Sequence, residues 1–222
     1  MAAASLFGSR LDRARAYAEL LAAEAVPRGL LGPREIPRLW DRHLLNCAVI
    51  EELLPQDARV CDLGSGAGLP GLVLAILRPD LRMTLLEPML RRAAFLTRAV
   101  EQLGCTSVTV VRARAEEAAI EAVDVVVARA VAPLDRLAGW ALPLLREEGE
   151  LLAVKGTAAA EEVDKLADRW PELGVAAARI EQVGGDYVQP PTTVVRLVRA
   201  QHAGVARRDA RQRPGRRQGT RT

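Results

Sequence analysis

A glycine-rich stretch, CDLGSGAGLPG, runs from Cys61 to Gly71 between two apolar segments. Glycine accepts positive φ and lets a ligand approach the backbone closely, so such a loop between a strand and a helix is typical of a nucleotide site. Gly66, Gly68 and Gly71 spell GxGxxG, which indicates a dinucleotide, whereas Asp62 and the glycines after it spell DxGxGxG. From the loop alone, a merely tight strand-to-helix turn is an equal alternative.

Asp62 favours one of the two nucleotide interpretations. The pyrophosphate of a dinucleotide needs a helix N-terminus free of nearby negative charge, and Asp62 stands two residues before Gly64, the first glycine of the loop. A carboxylate there suits a cationic ligand such as S-adenosylmethionine, whose sulfonium and ammonium groups it can attract directly or through water. Glu87 ends the next predicted strand, where its carboxylate can accept hydrogen bonds from ribose hydroxyls.

A third acidic residue follows the third predicted strand, in the segment RARAEE. Glu116 and the backbone of Ala115 are placed to meet an adenine, although Glu116 could equally just begin a helix. The ends of three successive predicted strands thus each have an acidic residue: Asp62, Glu87 and Glu116. Because an open α/β sheet binds its ligands at the carboxyl ends of its strands, the three together predict one cofactor site.

These residues need a parallel sheet to bring them together. After Pro55, short apolar runs alternate with helical periodicity, which predicts an α/β, doubly wound sheet of seven strands that ends in an antiparallel pair. We expect a helical cap at residues 1–55, the sheet domain at 56–200 and an Arg-rich, disordered tail at 201–222. The predicted strands are 59–63, 82–87, 107–112, 123–129, 150–155, 179–183 and 193–199. The predicted helices are 10–25, 38–54, 70–77, 90–103, 116–121, 133–145 and 158–170.

Charge is distributed unevenly along the chain. Its 222 residues sum to +3, but seven arginines and one aspartate follow His202, which puts +6 there and leaves 3 − 6 = −3 for residues 1–201. The basic excess therefore belongs to the tail, where it could attract nucleic acid through counterion release or stay solvated.

Three cysteines, Cys47, Cys61 and Cys105, are widely spaced and form no CxxC pair. This pattern argues against a disulfide framework and against a zinc site, and with two histidines in the chain we expect no metal. No apolar segment has the length of a signal peptide core or of a membrane span. We therefore expect a cytoplasmic protein with no membrane partner.

Several motifs occur in order: LWDRHLLNC, DLGSGAGLPG, TLLEP, RAE, ARAVAPL and LLAVKG. Together they resemble the bacterial 16S rRNA guanine-N7 methyltransferase family, also called glucose-inhibited division protein B, over about residues 10 to 200. The resemblance implies a Rossmann-like class I methyltransferase that consumes S-adenosylmethionine, releases S-adenosylhomocysteine and methylates one guanine, expected at position 527, in the decoding-region loop of 16S rRNA.

The resemblance also assigns cofactor contacts by position, in addition to Asp62, Gly66 and Gly68 of the loop. They fall on Gly64, Leu69, Glu87, Pro88, Met89, Ala115, Glu116 and Arg129. The chain departs from the family at Glu87, where an aspartate is the more familiar residue, often followed by serine or alanine and then a basic residue.

The segment ARAVAPL after the fourth strand contains neither the polar-Pro-Pro-aromatic loop that exocyclic amines call for nor a nucleophilic cysteine for pyrimidine C5. Guanine N7 has a lone pair and no proton to lose, so its methylation needs positioning rather than a general base. Arg129, at the end of this strand, is the candidate catalytic residue in a positioning role, because a guanidinium can grip guanine O6 or a phosphate. An ion pair with a carboxylate is the alternative.

The RNA-binding candidates lie in the cap and at the end of the fifth strand. They are Arg38, Arg42, His43, Asn46 and Lys155. A packed His43 and a solvent-exposed Lys155 are the alternatives. The expected partner is 16S rRNA or the small ribosomal subunit, and a monomer is favoured. A small-molecule methyltransferase and a ribosome-binding factor with a vestigial cofactor pocket stay open, whereas Asp62 and the lack of a proton-relay residue disfavour an NAD oxidoreductase.

Overall fold

A computed structural model describes residues 2–201 of the chain. Its seven strands are β1 Arg59–Leu63, β2 Arg82–Leu86, β3 Val108–Val111, β4 Val123–Arg129, β5 Leu145–Lys155, β6 Val175–Val183 and β7 Thr192–Arg199. They form one sheet in the order β3-β2-β1-β4-β5-β7-β6. The first five strands are parallel, and β7 runs antiparallel to both β5 and β6. The predicted doubly wound, seven-stranded sheet is confirmed.

Helices cover both faces of the sheet and precede it. The α-helices are α1 Ala2–Phe7, α2 Leu11–Glu24, α3 Leu45–Ala48, α4 Gly71–Leu77, α5 Leu90–Gln102, α6 Leu134–Ala141, α7 Ala159–Asp164 and α8 Trp170–Leu173. Single 3₁₀ segments lie at Gly8–Arg10, Pro33–Arg38, Val49–Leu53, Ala115–Glu117, Leu142–Leu144 and Ala167–Arg169, and a π-helical segment lies at Leu39–Leu44. None of the helices in residues 2–201 has the length and apolarity needed to cross a bilayer.

Buried side chains alternate between the two faces of the sheet along each strand, as the pleat requires. In β1, Val60 faces the side covered by α4, α5 and the N-terminal helices, whereas Cys61 and Leu63 face the side covered by α6 and α7. Tyr17 and Leu44 from the N-terminal helices are fully buried in the first of these clusters. The N-terminal segment therefore shares one continuous core with the sheet instead of resting on its surface.

Several predicted helices differ from the structure. The predicted helix at 38–54 is divided into a π segment, α3 and a 3₁₀ turn, and the one at 158–170 is divided between α7 and a 3₁₀ turn. The predicted helix at 116–121 is wrong beyond one 3₁₀ turn, because β4 begins at Val123 and leaves a short connection. The first helix, α1, was not predicted. The predicted tail, apart from Gln201, lies outside the described residues.

Strand β5 begins five residues before the predicted start at 150. Its polar first half contains Gly149, where a Cβ would lie 2.9 Å from the carbonyl oxygen of Arg146 and 3.0 Å from that of Asp124. Glu148 has a φ of 59°, and the β4–β5 register shifts between Val123 and Val125. The strand therefore continues through a bulge, which a simple apolar pattern does not indicate.

Candidate functional site

The glycine loop leaves β1 and carries the chain into α4. Gly64, Gly66 and Gly68 all have positive φ, a conformation that residues with a Cβ rarely adopt. A Cβ on Gly68 would lie 2.8 Å from the hydroxyl oxygen of Tyr17, and one on Gly64 would lie 3.0 Å from a methyl carbon of Val131. The loop is therefore held closely between the N-terminal helices and the segment that follows β4.

Gly71 allows α4 to begin directly against β1. A Cβ at this position would lie 2.6 Å from both the Cβ of Asp62 and a methyl carbon of Leu85. The Gly71 N–H donates a hydrogen bond of 3.0 Å to Oδ2 of Asp62. Among the residues described, the other carboxylate oxygen of Asp62 has no hydrogen-bond partner.

Asp62 is fully buried behind the loop. Burial raises the pKa of this carboxyl to about 7, while the hydrogen bond from Gly71 acts in the opposite direction. The predicted direct attraction of a cofactor cation would have to act from this buried position. Its unpartnered oxygen leaves one acceptor available to a water or to a cation beyond the loop.

Glu87 connects the glycine loop to α5 at the end of β2. Its side chain is 2% exposed. Oε2 accepts a hydrogen bond of 2.9 Å from the Gly66 N–H, and Oε1 accepts one of 2.9 Å from the Met89 N–H. Since each carboxylate oxygen has further lone-pair capacity, Glu87 can still accept hydrogen bonds from two ribose hydroxyls.

A cavity of about 280 Å³ opens at the carboxyl ends of the parallel strands. This volume is near the lower end of the range of roughly 300 to 1,000 Å³ for small-molecule sites. Six predicted cofactor residues line it: Gly64, Glu87, Pro88, Met89, Ala115 and Glu116. Gly66, Gly68 and Leu69 shape the loop beside the cavity without lining it, and Asp62 and Arg129 also lie outside its wall. A strand-end carboxylate in a partly apolar slot fits the nucleoside part of S-adenosylmethionine.

Sequence reasoning missed part of the cavity wall. The additional residues are Leu63, Leu86, Arg92, Ala113, Arg114, Ala130, Val131 and Trp140. Arg92 lies in the first turn of α5, 4.0 Å from Oε2 of Glu87, and Arg114 directly precedes Ala115. Both therefore had a signal in their position beside predicted residues. Trp140 arrives from α6 through tertiary packing and had none.

Arg129 ends β4 and directs its guanidinium toward the N-terminal helices. One terminal nitrogen donates to Sγ of Cys47 at 3.0 Å, and the other lies 2.5 Å from Nδ1 of His43. The opposite ring nitrogen of His43, Nε2, lies 2.6 Å from Oε2 of Glu35. The hydrogen-bond partners of Arg129 in residues 2–201 are therefore the imidazole and the backbone carbonyl of His43 and the thiol of Cys47, not the carboxylate considered as the alternative.

Arg129 also lines a groove that adjoins this cavity. Its other lining residues are Ala128, Ala130, Val131, Ala132, Leu137, Val154, Lys155 and Gly156. Ala130, which the groove shares with the cavity, has a φ of 54°. A non-glycine residue in this conformation carries backbone strain of order 1 kcal/mol, and such strain often accompanies functional sites.

The predicted RNA-binding residues have different environments. Arg38 and Arg42 are exposed, and Arg42 lies 3.9 Å from Glu35. His43 is buried, and Asn46 is tied to the carbonyl of Asp41 at 2.5 Å and to Thr192 at 2.8 Å. RNA contacts by these side chains stay predictions.

Lys155, the remaining RNA-binding candidate, has a side chain only 11% exposed. Its ammonium donates to Glu162 at 2.7 Å and to the carbonyl oxygen of Ala132 at 3.0 Å. A phosphate at Lys155 would have to share the ammonium with these two partners, so this contact also stays a prediction.

The sheet order, the glycine loop and the strand-end Glu87 define a class I S-adenosylmethionine-dependent methyltransferase. A solved S-adenosylmethionine-dependent methyltransferase from Aquifex aeolicus shows the same fold with a TM-score of 0.55 at 18% identity, over 77% of this chain and 100% of that one. The model of the family described as rRNA small subunit methyltransferase G matches residues 10–189, and the chain belongs to this family.

Curated relatives agree with the family model. A ribosomal RNA small subunit methyltransferase G from Thermobifida fusca is 59% identical over 198 residues, and one from Streptomyces avermitilis is 57% identical over 197; each match covers 88% of this chain and 83% of the relative. These findings confirm the predicted family and its cofactor, S-adenosylmethionine. They also confirm the enzyme class, which is an S-adenosylmethionine-dependent rRNA methyltransferase. They favour this class over the small-molecule methyltransferase and the binding factor with a vestigial pocket. Residues 2–201 contain no group of three or more His, Cys, Asp or Glu side chains that could hold a metal ion.

Proposed function

We propose that this chain transfers a methyl group from S-adenosylmethionine to N7 of one guanine in the decoding-region loop of 16S rRNA, with guanine 527 as the expected target. The names of the curated relatives support the small-subunit rRNA as substrate. The choice of N7 rests on one structural observation, the composition of the groove beside the cofactor cavity.

The groove has no side chain suited to removing a proton. Its charged members within the described residues are Arg129 and Lys155, both cationic, and the rest of its wall is apolar side chain or glycine. His43 is the one histidine in residues 2–201, and both of its ring nitrogens already have partners. An exocyclic amine or a ribose hydroxyl must lose a proton on methylation, whereas N7 attacks through a lone pair, so the groove suits N7.

Arg129 keeps donors available for a guanine. A guanidinium carries five N–H groups, and the hydrogen bonds to Cys47 and to Nδ1 and the carbonyl oxygen of His43 use three of them. The two that remain can reach O6, the acceptor next to N7 on the guanine edge. The cofactor supplies an electrophilic methyl group when bound, while Glu87 orients the ribose and Arg129 orients the base, so that catalysis comes from alignment.

Methyl mapping tests this proposal. The protein is incubated with labelled S-adenosylmethionine and either 16S rRNA or small subunits that lack the modification, and the labelled nucleotide is located and hydrolysed to its base. We expect a single labelled 7-methylguanine on at least one of the two substrates. Label on an exocyclic amine, on a ribose or on several guanines would reject the proposal. Saturable calorimetric binding of S-adenosylhomocysteine provides the control that the preparation has a working cofactor site.

A further inference from the structure

A continuous hydrogen-bonded chain joins the N-terminal helices to the end of β4. It starts at Glu35, in the 3₁₀ segment Pro33–Arg38, passes through the imidazole of His43 in the π segment Leu39–Leu44, and ends at the guanidinium of Arg129. The two links measure 2.6 Å and 2.5 Å. His43 is 5% exposed, so the surrounding protein and not solvent determines which atoms its ring nitrogens meet.

The chemistry of the two ends determines the state of the ring between them. A guanidinium only donates hydrogen bonds, so Nδ1 of His43 must accept from Arg129. An ionised carboxylate only accepts, so Nε2 must carry the proton and donate it to Glu35. Only the neutral imidazole with its proton on Nε2 satisfies both contacts.

We propose that His43 is a positioning residue for Arg129: Glu35 holds the ring as the Nε2–H tautomer, and Nδ1 then fixes the guanidinium at the groove where the acceptor base binds. This inference rests on the proposed role of Arg129 in orienting the guanine. It assigns His43 to the catalytic arrangement without contact between His43 and RNA, in place of the RNA contact predicted from the sequence.

The arrangement makes Arg129 sensitive to acid. A proton added at Nδ1 replaces the acceptor by a donor and sets a second cation against the guanidinium. Burial and the neighbouring Arg129 lower the pKa of His43, the hydrogen bond to Glu35 opposes them, and Arg42 lowers it further. Cys47, which also contacts Arg129, stays a neutral thiol because burial raises its pKa. The arrangement is therefore intact at neutral pH and is lost as the pH falls through a value below 6.5.

Nitrogen-15 NMR of the imidazoles tests the tautomer without reference to activity. The chain contains two histidines, His43 and His202, so the variant H202Q assigns the signals of His43 in the full-length protein. At about pH 7.5 we expect one bare and one protonated nitrogen in His43, with the proton correlated to the Nε2 position, and titration below pH 6.5. A proton on Nδ1, or shifts averaged between two tautomers, would overturn the proposal.

Two variants test the consequence for catalysis. In H43N the amide oxygen takes a place near that of Nδ1 and can accept from Arg129 but cannot be protonated, whereas H43L fills similar space without an acceptor. We expect kcat for methyl transfer to rRNA to fall at least tenfold in H43L and to fall less in H43N, with S-adenosylhomocysteine affinity retained in both. The wild type should lose activity about tenfold per pH unit below the pKa of His43, and H43N should lack this decline.

The outcomes separate this inference from the function on which it rests. Equal kcat values for H43N and H43L, or an acid decline that persists in H43N, would refute the positioning role of His43. If instead R129K methylates N7 as fast as the wild type, the proposed role of Arg129 fails. The NMR result then still decides the state of His43, even if a variant does not fold.

Discussion

The buried carboxyl of Asp62 makes the stability of this protein depend on pH in an uncommon direction. Its pKa rises from an ordinary value of 3.8 to about 7 in the folded chain, chiefly because of burial. A pKa that differs by one between the folded and the unfolded chain corresponds to about 1.4 kcal/mol. The rise at Asp62, by about three, therefore corresponds to about 4 kcal/mol, a large share of the 5 to 15 kcal/mol that is typical of a domain.

The sign follows from proton counting. Below about pH 4, Asp62 is protonated in both the folded and the unfolded chain and its burial costs no linkage energy. Between pH 4 and 7 the unfolded chain ionises this carboxyl and the folded chain does not, so the unfolded state binds fewer protons and the free energy of unfolding falls as the pH rises. About one pH unit above 7, the folded chain is ionised as well and the loss is complete and constant.

Asp62→Asn removes this loss while keeping an oxygen to accept the Gly71 N–H. Urea unfolding of the variant and the wild type, from about pH 5 to pH 8, measures the difference in their free energies of unfolding. Between pH 5 and pH 7 we expect this difference to grow by about 2 kcal/mol in favour of D62N. Asp80→Asn is the matched control, because the hydrogen bond from Arg78 holds the pKa of Asp80 at about 2 and its difference should stay constant over the same range.

The reasoning fails if the D62N difference is as constant with pH as the D80N difference. That constant difference is what an Asp62 ionised and stabilised in the folded chain, as Asp80 is, would give. This result could not be attributed to other titrating groups, because these are common to the variant and the wild type.

Three further predictions concern Glu87, Gly71 and the C-terminal tail. Glu87→Ala leaves the N–H groups of Gly66 and Met89 without acceptors, so calorimetry should show a loss of S-adenosylhomocysteine affinity of about 10- to 100-fold. Unchanged affinity would exclude Glu87 from the cofactor site. Gly71→Ala should lower the free energy of unfolding by about 1 to 3 kcal/mol, because the new Cβ would clash with Asp62 and Leu85. Gly139→Ala is the control and should not lower it, because a Cβ there has no heavy atom within 4 Å. Equal urea midpoints for the two variants would contradict this prediction. Deletion of the residues after Gln201 should leave S-adenosylhomocysteine affinity unchanged and weaken rRNA binding, more so at low salt; lost cofactor binding would refute this division.

Local patterns in the sequence were sufficient to predict those parts of the site whose positions are set by the backbone. Strands β1 and β4 have the limits that were predicted, and Glu87 directly follows β2 beside the glycine loop. Parallel strands with crossover helices bring their carboxyl ends to one edge, so the position of a residue along its strand already determines its place at the site. The same reasoning placed Glu116 and Ala115 in the cavity wall, where the structure has them.

The same patterns could not predict the directions in which the side chains point. A regular helix over 38–54 would present Arg42 and Asn46 on one face, but a π segment at Leu39–Leu44 accompanies an inward-facing His43 and an Asn46 bound to Thr192. The predicted direction of Arg129, toward cofactor and acceptor, likewise could not include its bonds to His43 and Cys47, which lie 86 and 82 residues away in the chain. A substitution in the N-terminal helices can therefore act on the groove that Arg129 lines, through a hydrogen bond to the Arg129 guanidinium. No periodicity within either segment encodes that connection.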